Sequence, residues 1–208
     1  MKIVERLGRL KELVTFTKDD FIFVQILKRR KDNPEMELGV KRIKSYSFYS
    51  WEELIEQAPR IEELCDLNNA RAYIRLNKQN AVDMTLTMIK ELADNISNDR
   101  ARQSQSIWDS LAGKGGAKDW WVLDLDEEHL DIRLSLVDDI SKSFQMRKDS
   151  FFGQIITFNW TKSGVHLICK PFDVRVLEKY NKDLSSKGLP VIQIQKDANT
   201  VLYIGNGK

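Results

Sequence analysis

The 208-residue chain is poor in metal-binding soft ligands, with two cysteines and two histidines. Cys65 and Cys169 stand far apart, and only His129 and His166 are available to join them, so no zinc-ligand spacing exists and no zinc is expected. Both thiols read as buried apolar residues of a cytoplasmic protein. No apolar run is long enough to span a bilayer and no signal peptide is read, so no membrane partner is expected. An excess of one charge is also missing. Lys and Arg number 33 against 31 Asp and Glu, a net charge of +2, so any surface for nucleic acid must be a local patch. There is no internal repeat. The one glycine-rich stretch, Ala112-Gly-Lys-Gly-Gly-Ala-Lys118, lacks the Gly-Lys-Ser/Thr ending of a phosphate loop and precedes a strand instead of following one, so it reads as a linker.

Two segments put polar groups on one side of otherwise apolar strands: Trp121-Val-Leu-Asp-Leu-Asp126 and Lys162-Ser-Gly-Val-His166-Leu-Ile-Cys-Lys170. Side chains alternate across a strand, so Asp124 and Asp126 share a face opposite Leu123 and Leu125, and His166 and Lys170 lie opposite Val165, Leu167 and Cys169. Two carboxylates this close repel unless a cation neutralises them, which makes a divalent metal their natural partner. From residue 119 the periodicity predicts strand 119–126, helix 130–147, strands 153–160 and 164–170, helix 173–183 and strand 190–196. That order is a β-α-β-β-α-β module of ferredoxin-like or RRM-like type. Right-handed crossovers then put the first strand between the third and fourth. With Ile192 and Ile194 buried, Gln193, Gln195 and Asp197 share the face of the aspartates, opposite the helices.

The quoted residues resemble the archaeo-eukaryotic primase superfamily of primases and primase-polymerases. Its motifs are an apolar strand ending in Asp-x-Asp or Asp-x-Glu, a strand bearing a small residue, a variable residue and His, and a later strand with an acidic ligand. Here these look like Val122-Leu-Asp124-Leu-Asp126, Ser163-Gly164-Val165-His166 and Gln195-Lys-Asp197. Asp173 is the rival third carboxylate, although it follows Pro171 at an expected helix start, where N-capping accounts for it. The resemblance implies a template-dependent nucleotidyltransferase in which Asp124, Asp126 and Asp197 hold two Mg2+ or Mn2+ ions. It implies that His166, with Lys162, Ser163 and Lys170, grips the nucleoside triphosphate, and that a single-stranded DNA or RNA template is read. No helicase motor is present, so a replicative role implies one in trans. A metal-dependent nuclease using the same carboxylates, and a non-catalytic single-strand-binding module, are the alternatives.

The N-terminal half, 1–112, reads as an α/β subdomain packed against the catalytic module at 119–208. It opens with an amphipathic helix over 3–14 and a strand pair, 21–30 and 40–49. Lys28, Arg29, Arg30, Lys31, Lys41, Arg42 and Lys44 gather near the turn, either as a solvated edge that resists aggregation or as a finger following a phosphate backbone. Tyr46, Phe48, Tyr49 and Trp51 would add stacking wherever they are exposed. Ser50 and Glu53 form a capping-box pattern before a helix over 51–64. Strand 70–77 carries Arg71 and Arg75, either on an exposed outer face or lining a cleft that meets phosphates. Helix 81–97 places Val82, Leu86, Ile89, Ala93 and Ile96 at core spacing.

Overall fold

Strand alternation in this chain builds two four-stranded antiparallel sheets, each the centre of its own compact unit. The computed structural model describes residues 1–37, 39–100, 107–112, 116, 118–145 and 157–206, apart from the side chains at 128, 130 and 143–145. One unit comprises Met1–Ala117 with Val201–Lys208, and the other Lys118–Thr200. The chain is thus α+β, and its first crossing between units falls in the glycine-rich joint. Among the described residues no helix is long and apolar enough to cross a membrane.

The first unit contains α1 (Ile3–Leu10), β1 (Asp20–Arg29), β2 (Val40–Phe48), α2 (Trp51–Asn68), β3 (Arg71–Asn80), α3 (Ala81–Ser97) and α4 (Ile107–Ala112). Its sheet has the order β2-β1-β3-β8, where β8 is Asn199–Ile204. That last strand corrects the boundary expected from sequence: residues from 201 onward belong with the N-terminal unit. Gly205 permits the return, because a Cβ there would lie 2.3 Å from the Cys65 carbonyl oxygen. Ser50 caps α2 by accepting from the Glu53 N–H, while the Glu53 carboxylate reaches back to the Tyr49 N–H at 2.9 Å, one residue earlier than a capping box requires.

The second unit contains β4 (Trp121–Asp126), a 3-10 turn (Glu127–Ile132), α5 (Arg133–Gln145), β5 (Thr157–Trp160), β6 (Gly164–Cys169), α6 (Arg175–Ser186) and β7 (Gln193–Gln195). The strands are ordered β5-β6-β4-β7, with each neighbouring pair antiparallel, so the first strand does sit between the third and fourth. The expected strand at 153–160 and helix at 130–147 extend into residues 146–156, outside the described residues. Leu123, Leu125, Val165, Leu167 and Cys169 face Leu136 and Ile140 of α5 and Leu177 and Leu184 of α6 in one core. Burial raises the Cys65 and Cys169 thiols to about 12.

Helix α3 packs differently from its expected orientation. At 100° per residue its apolar side chains form two adjoining stripes centred about 120° apart, Met84, Met88 and Leu92 in one and Val82, Leu86, Ile89, Ala93 and Ile96 in the other. The methionine stripe meets Phe21, Phe23, Ile107 and Leu111, and the other stripe is exposed, with Leu86 at 61% and Ile96 at 65%. Met side chains, unbranched and flexible, fit the aromatic surface that β1 offers. Replacing Leu86 or Ile89 with Gln should therefore change unfolding free energy by less than about 0.5 kcal/mol. Met84→Ala should cost about 2–3 kcal/mol. Urea titrations of the three variants check the orientation.

Candidate active site

Packing of Leu123 and Leu125 into the helix-covered core turns Asp124 and Asp126 to the other face of β4, where both are partly exposed. The β4–β6 ladder pairs Asp124 with His166 and Asp126 with Gly164. Directly opposed residues share a face. His166 Nε2 accordingly lies 3.5 Å from Asp124 Oδ1, with the imidazole buried and the Asp124 side chain 43% exposed. The ring is held by the protein, and the carboxylate reaches solvent.

Three polar residues outside the sequence motifs support this pair. His166 Nδ1 is 2.8 Å from Thr200 Oγ1, and Asn159 Nδ2 donates to the same oxygen at 2.7 Å. Asn159 stands opposite His166 across the β5–β6 ladder. His129 is fully buried just past the acidic pair. Its Nδ1 accepts from the Asp126 N–H at 3.1 Å, so in the neutral ring Nε2 carries the proton and donates to the Pro190 carbonyl at 2.7 Å. The end of β4 is thereby tied to the segment entering β7. The polar, aromatic alternation of Thr157-Phe158-Asn159-Trp160 already signals that Asn159 faces the aspartates. Nothing local to the sequence marks Thr200.

The motif glycine has a steric cause. A Cβ on Gly164 would lie 2.1 Å from the Leu125 carbonyl oxygen, and the residue's φ of +156° is one that side chains rarely adopt. Beyond it, Thr161 N–H donates to the Gly164 carbonyl at 3.0 Å, closing a two-residue hairpin loop of Lys162 and Ser163. Both loop residues are exposed at the Asp126 end of the sheet.

Asp197 and Lys170 are not brought to this cluster. Strand β7 stops at Gln195, and the Ala198 N–H bonds back to the Gln195 carbonyl, so Asp197 sits in a turn. Gln193 pairs with Asp124 and Gln195 with Val122, which carries Asp197 toward the Trp120 end of β4. Cys169 pairs with Trp121, and the Lys170 ammonium lies 3.8 Å over the Trp120 ring at that same end. Four residues along a strand span about 13 Å. Asp173 accepts from the Arg175 N–H at 3.1 Å and meets its guanidinium, a helix-start role.

Arg71 and Arg75 correct the expectation of an outer face, since both are buried. Strand β3 is interior to its sheet, and Arg75 reaches the last carbonyl of α4, at Ala112, with an Nη1–O distance of 2.6 Å. Arg71 pairs with Asp32 at 2.6 Å, where each side chain is 8% exposed, and so locks the β1–β2 connection. Neither guanidinium lies on a surface open to a phosphate backbone. The hairpin bases do reach the surface: Lys41, Arg42, Lys44 and Arg30 are exposed, and Lys28 stands directly opposite Lys41. Lys28 is 3.3 Å from Glu35, Arg42 is 3.2 Å from Asp109, and Arg29 donates to the Tyr73 hydroxyl. Of the aromatics, Phe48 and Trp51 are buried and Tyr46 stacks on Phe48, leaving Tyr49 exposed.

Among the described residues, no three His, Cys, Asp or Glu side chains group closely enough to hold a metal between them. The Asp124–Asp126 pair nonetheless fits Mg2+ or Mn2+, because these hard cations favour carboxylate oxygens and commonly rest on one or two of them, with water and substrate phosphates supplying the rest. No family model matches the chain, and no curated protein matches it. The Gly164 geometry is testable by itself: Gly164→Ala should lower unfolding free energy by about 2–4 kcal/mol through strain and overpacking. Gly8→Ala, in α1 with open space around it, should raise stability by up to about 1 kcal/mol. Denaturant titration of both variants gives the comparison.

Proposed function

We propose that the chain is a template-dependent nucleotidyltransferase of primase or primase-polymerase type, similar to the archaeo-eukaryotic primase superfamily, with a ferredoxin-like second unit. The observation carrying this reading is the side-by-side pairing of Asp124 and His166, with Asp126 two residues on and the Lys162–Ser163 loop beyond it. The order β5-β6-β4-β7, with α5 after the first strand and α6 after the third, supports the ferredoxin-like assignment.

Asp124 and Asp126 would hold Mg2+ or Mn2+, which supplies positive charge against the phosphates and lowers the pKa of an attacking hydroxyl. The carboxylates set the cation's position on the exposed end of β4. His166, whose ring is buried but whose Nε2 faces Asp124, is placed to donate a hydrogen bond to a phosphate oxygen. The Lys162 ammonium and the Ser163 hydroxyl and N–H supply further donors at that end, and a charge-assisted donor to phosphate contributes about 1.5–3 kcal/mol. Lys28, Arg30, Lys41 and Arg42 offer a basic edge for the backbone of a single-stranded template, DNA or RNA. A cytoplasmic setting with a helicase in trans suits such an enzyme.

Incubating the full chain with a labelled single-stranded template, nucleoside triphosphates and Mn2+ should give extension products and leave the template uncut. Template cleavage without incorporation would assign a nuclease, and chelator-insensitive binding without either product would assign a binding module. Asp126→Asn should abolish incorporation while retaining the fold. It should also remove most of the rise in melting temperature that Mn2+ gives the parent protein.

The basic edge has a separate readout. Replacing Lys28, Arg30 and Lys41 by Gln should reduce the slope of log affinity against log salt by about 0.7 for each phosphate of a single strand that the variant no longer neutralises. Filter binding across a salt series measures it, and an unchanged slope would return these residues to the role of a solvated edge.

A further inference from the structure

Asn159, Thr200 and His166 form a chain of hydrogen bonds whose direction is set by its two ends. Asn159 Nδ2 can only donate, and it gives one bond to Thr200 Oγ1 at 2.7 Å. At the other end, Asp124 Oδ1 lies 3.5 Å from His166 Nε2, and an ionised carboxylate can only accept. Between them, Thr200 Oγ1 is 2.8 Å from His166 Nδ1. One arrangement of the neutral ring gives every donor an acceptor: Asn159 N–H to Thr200 Oγ, Thr200 O–H to His166 Nδ1, and His166 Nε2–H toward Asp124. The opposite tautomer directs the Nε2 lone pair at a carboxylate and sends the Thr200 proton away from the ring. All three members of the chain are buried, with Thr200 at 0% and Asn159 and His166 each at 5%, where a misdirected donor is costly.

We infer that Thr200 and Asn159 are positioning residues that hold His166 as its Nε2–H tautomer, so that the histidine presents a fixed hydrogen-bond donor beside Asp124 to a phosphoryl oxygen of the nucleotide. The phosphoryl part rests on the proposed nucleotidyl transfer, whereas the tautomer follows from the hydrogen bonds among Asn159, Thr200 and His166 alone. Thr200 lies on no motif and would touch no substrate. It acts through the ring, as an outer partner of an imidazole fixes which nitrogen carries the proton. The sheet geometry explains why two strands are needed. His166 takes its orientation from β6, and Asn159, directly opposite on β5, aligns the threonine hydroxyl behind it.

The test uses the full chain labelled with 15N at histidine, at about pH 8, where a free imidazole is neutral. Two-bond proton–nitrogen correlations assigned to His166 should show a protonated Nε2 and a bare Nδ1. Thr200→Val, which removes the hydroxyl at nearly constant volume, should give a mixed tautomer population and about ten-fold weaker binding of a nucleoside triphosphate with Mn2+. Thr200→Ser should restore both. A parent protein with the proton on Nδ1, or a folded Thr200→Val variant with an unaltered Nε2–H population, would overturn the inference. Should Thr200→Val not fold, the parent spectrum and Thr200→Ser still decide, since serine must retain the tautomer. A parent that has the Nε2–H tautomer but binds no triphosphate would instead sink the nucleotidyltransferase reading and leave the hydrogen-bond chain standing.

Discussion

The pairing of β4 with β6 is the constraint on which the second unit and its candidate site both depend. In the observed register Leu123 and Leu125 face Leu167 and Val165 on the helix side, and Asp124 and Asp126 face His166 and Gly164 on the other. A one-residue slip of one strand would turn its whole set of side chains over. Slipping β4 and β6 together would expose four apolar side chains, each contributing about 1.5–3 kcal/mol by burial. Their sum approaches the whole stability of a typical domain, about 5–15 kcal/mol, before the cost of burying two carboxylates is added. Core packing therefore enforces the register, and the register brings the histidine to the aspartate. Gly164 allows the close approach at one end of the ladder, and His129 fastens the same end to the β7 side.

Buried polar residues serve two different ends in this chain, and their partners tell them apart. Arg71 is matched to Asp32, and Arg75 to the final carbonyl of α4, where a cation also complements the helix dipole. Such pairs add little net stability over an apolar substitute, but removing one partner leaves a buried charge and costs about 3–5 kcal/mol. His129 likewise has both ring nitrogens satisfied by backbone groups. His166 differs: Thr200 takes one nitrogen, and the other faces a carboxylate that is nearly half exposed. The His166 ring is thus oriented from behind by a hydroxyl and turned toward a partly solvated carboxylate, whereas His129 meets only backbone.

Apolar alternation made β4 and β6 readable almost to their ends, because both faces of these strands have a consistent environment. Elements that depend on distant packing were not readable in the same way. Strand β8 follows a turn in which Ala198 adopts a left-handed φ of 49°, a position where glycine or asparagine would have marked the break. Without that mark, the return of 201–206 to the first sheet has no local signature. Helix α4 is only six residues long, too short for its periodicity to stand out, yet its last carbonyl is what draws Arg75 inside. For α3 the sequence offers two apolar stripes of similar strength, and the choice between them is made by Phe21 and Phe23 on a neighbouring strand.

The separation of Asp197 and Lys170 from the acidic pair follows from a limit of parity itself. Alternation fixes the face on which a side chain lies, and says nothing of its position along the strand. Lys170 shares the parity of His166 but lies four residues away, against Trp120, while Lys196 lies 5.3 Å over the Trp121 ring. That end of β4 is thus lined by cation–aromatic pairs. The Asp126 end, by contrast, collects two carboxylates, an oriented imidazole and a polar hairpin loop. Only the antiparallel register separates the two ends, since it runs β6 and β7 opposite to β4. Two carboxylates at one end suffice for a hard divalent cation when a substrate phosphate completes its coordination, so the chemistry proposed for this sheet requires no third acidic residue from β7.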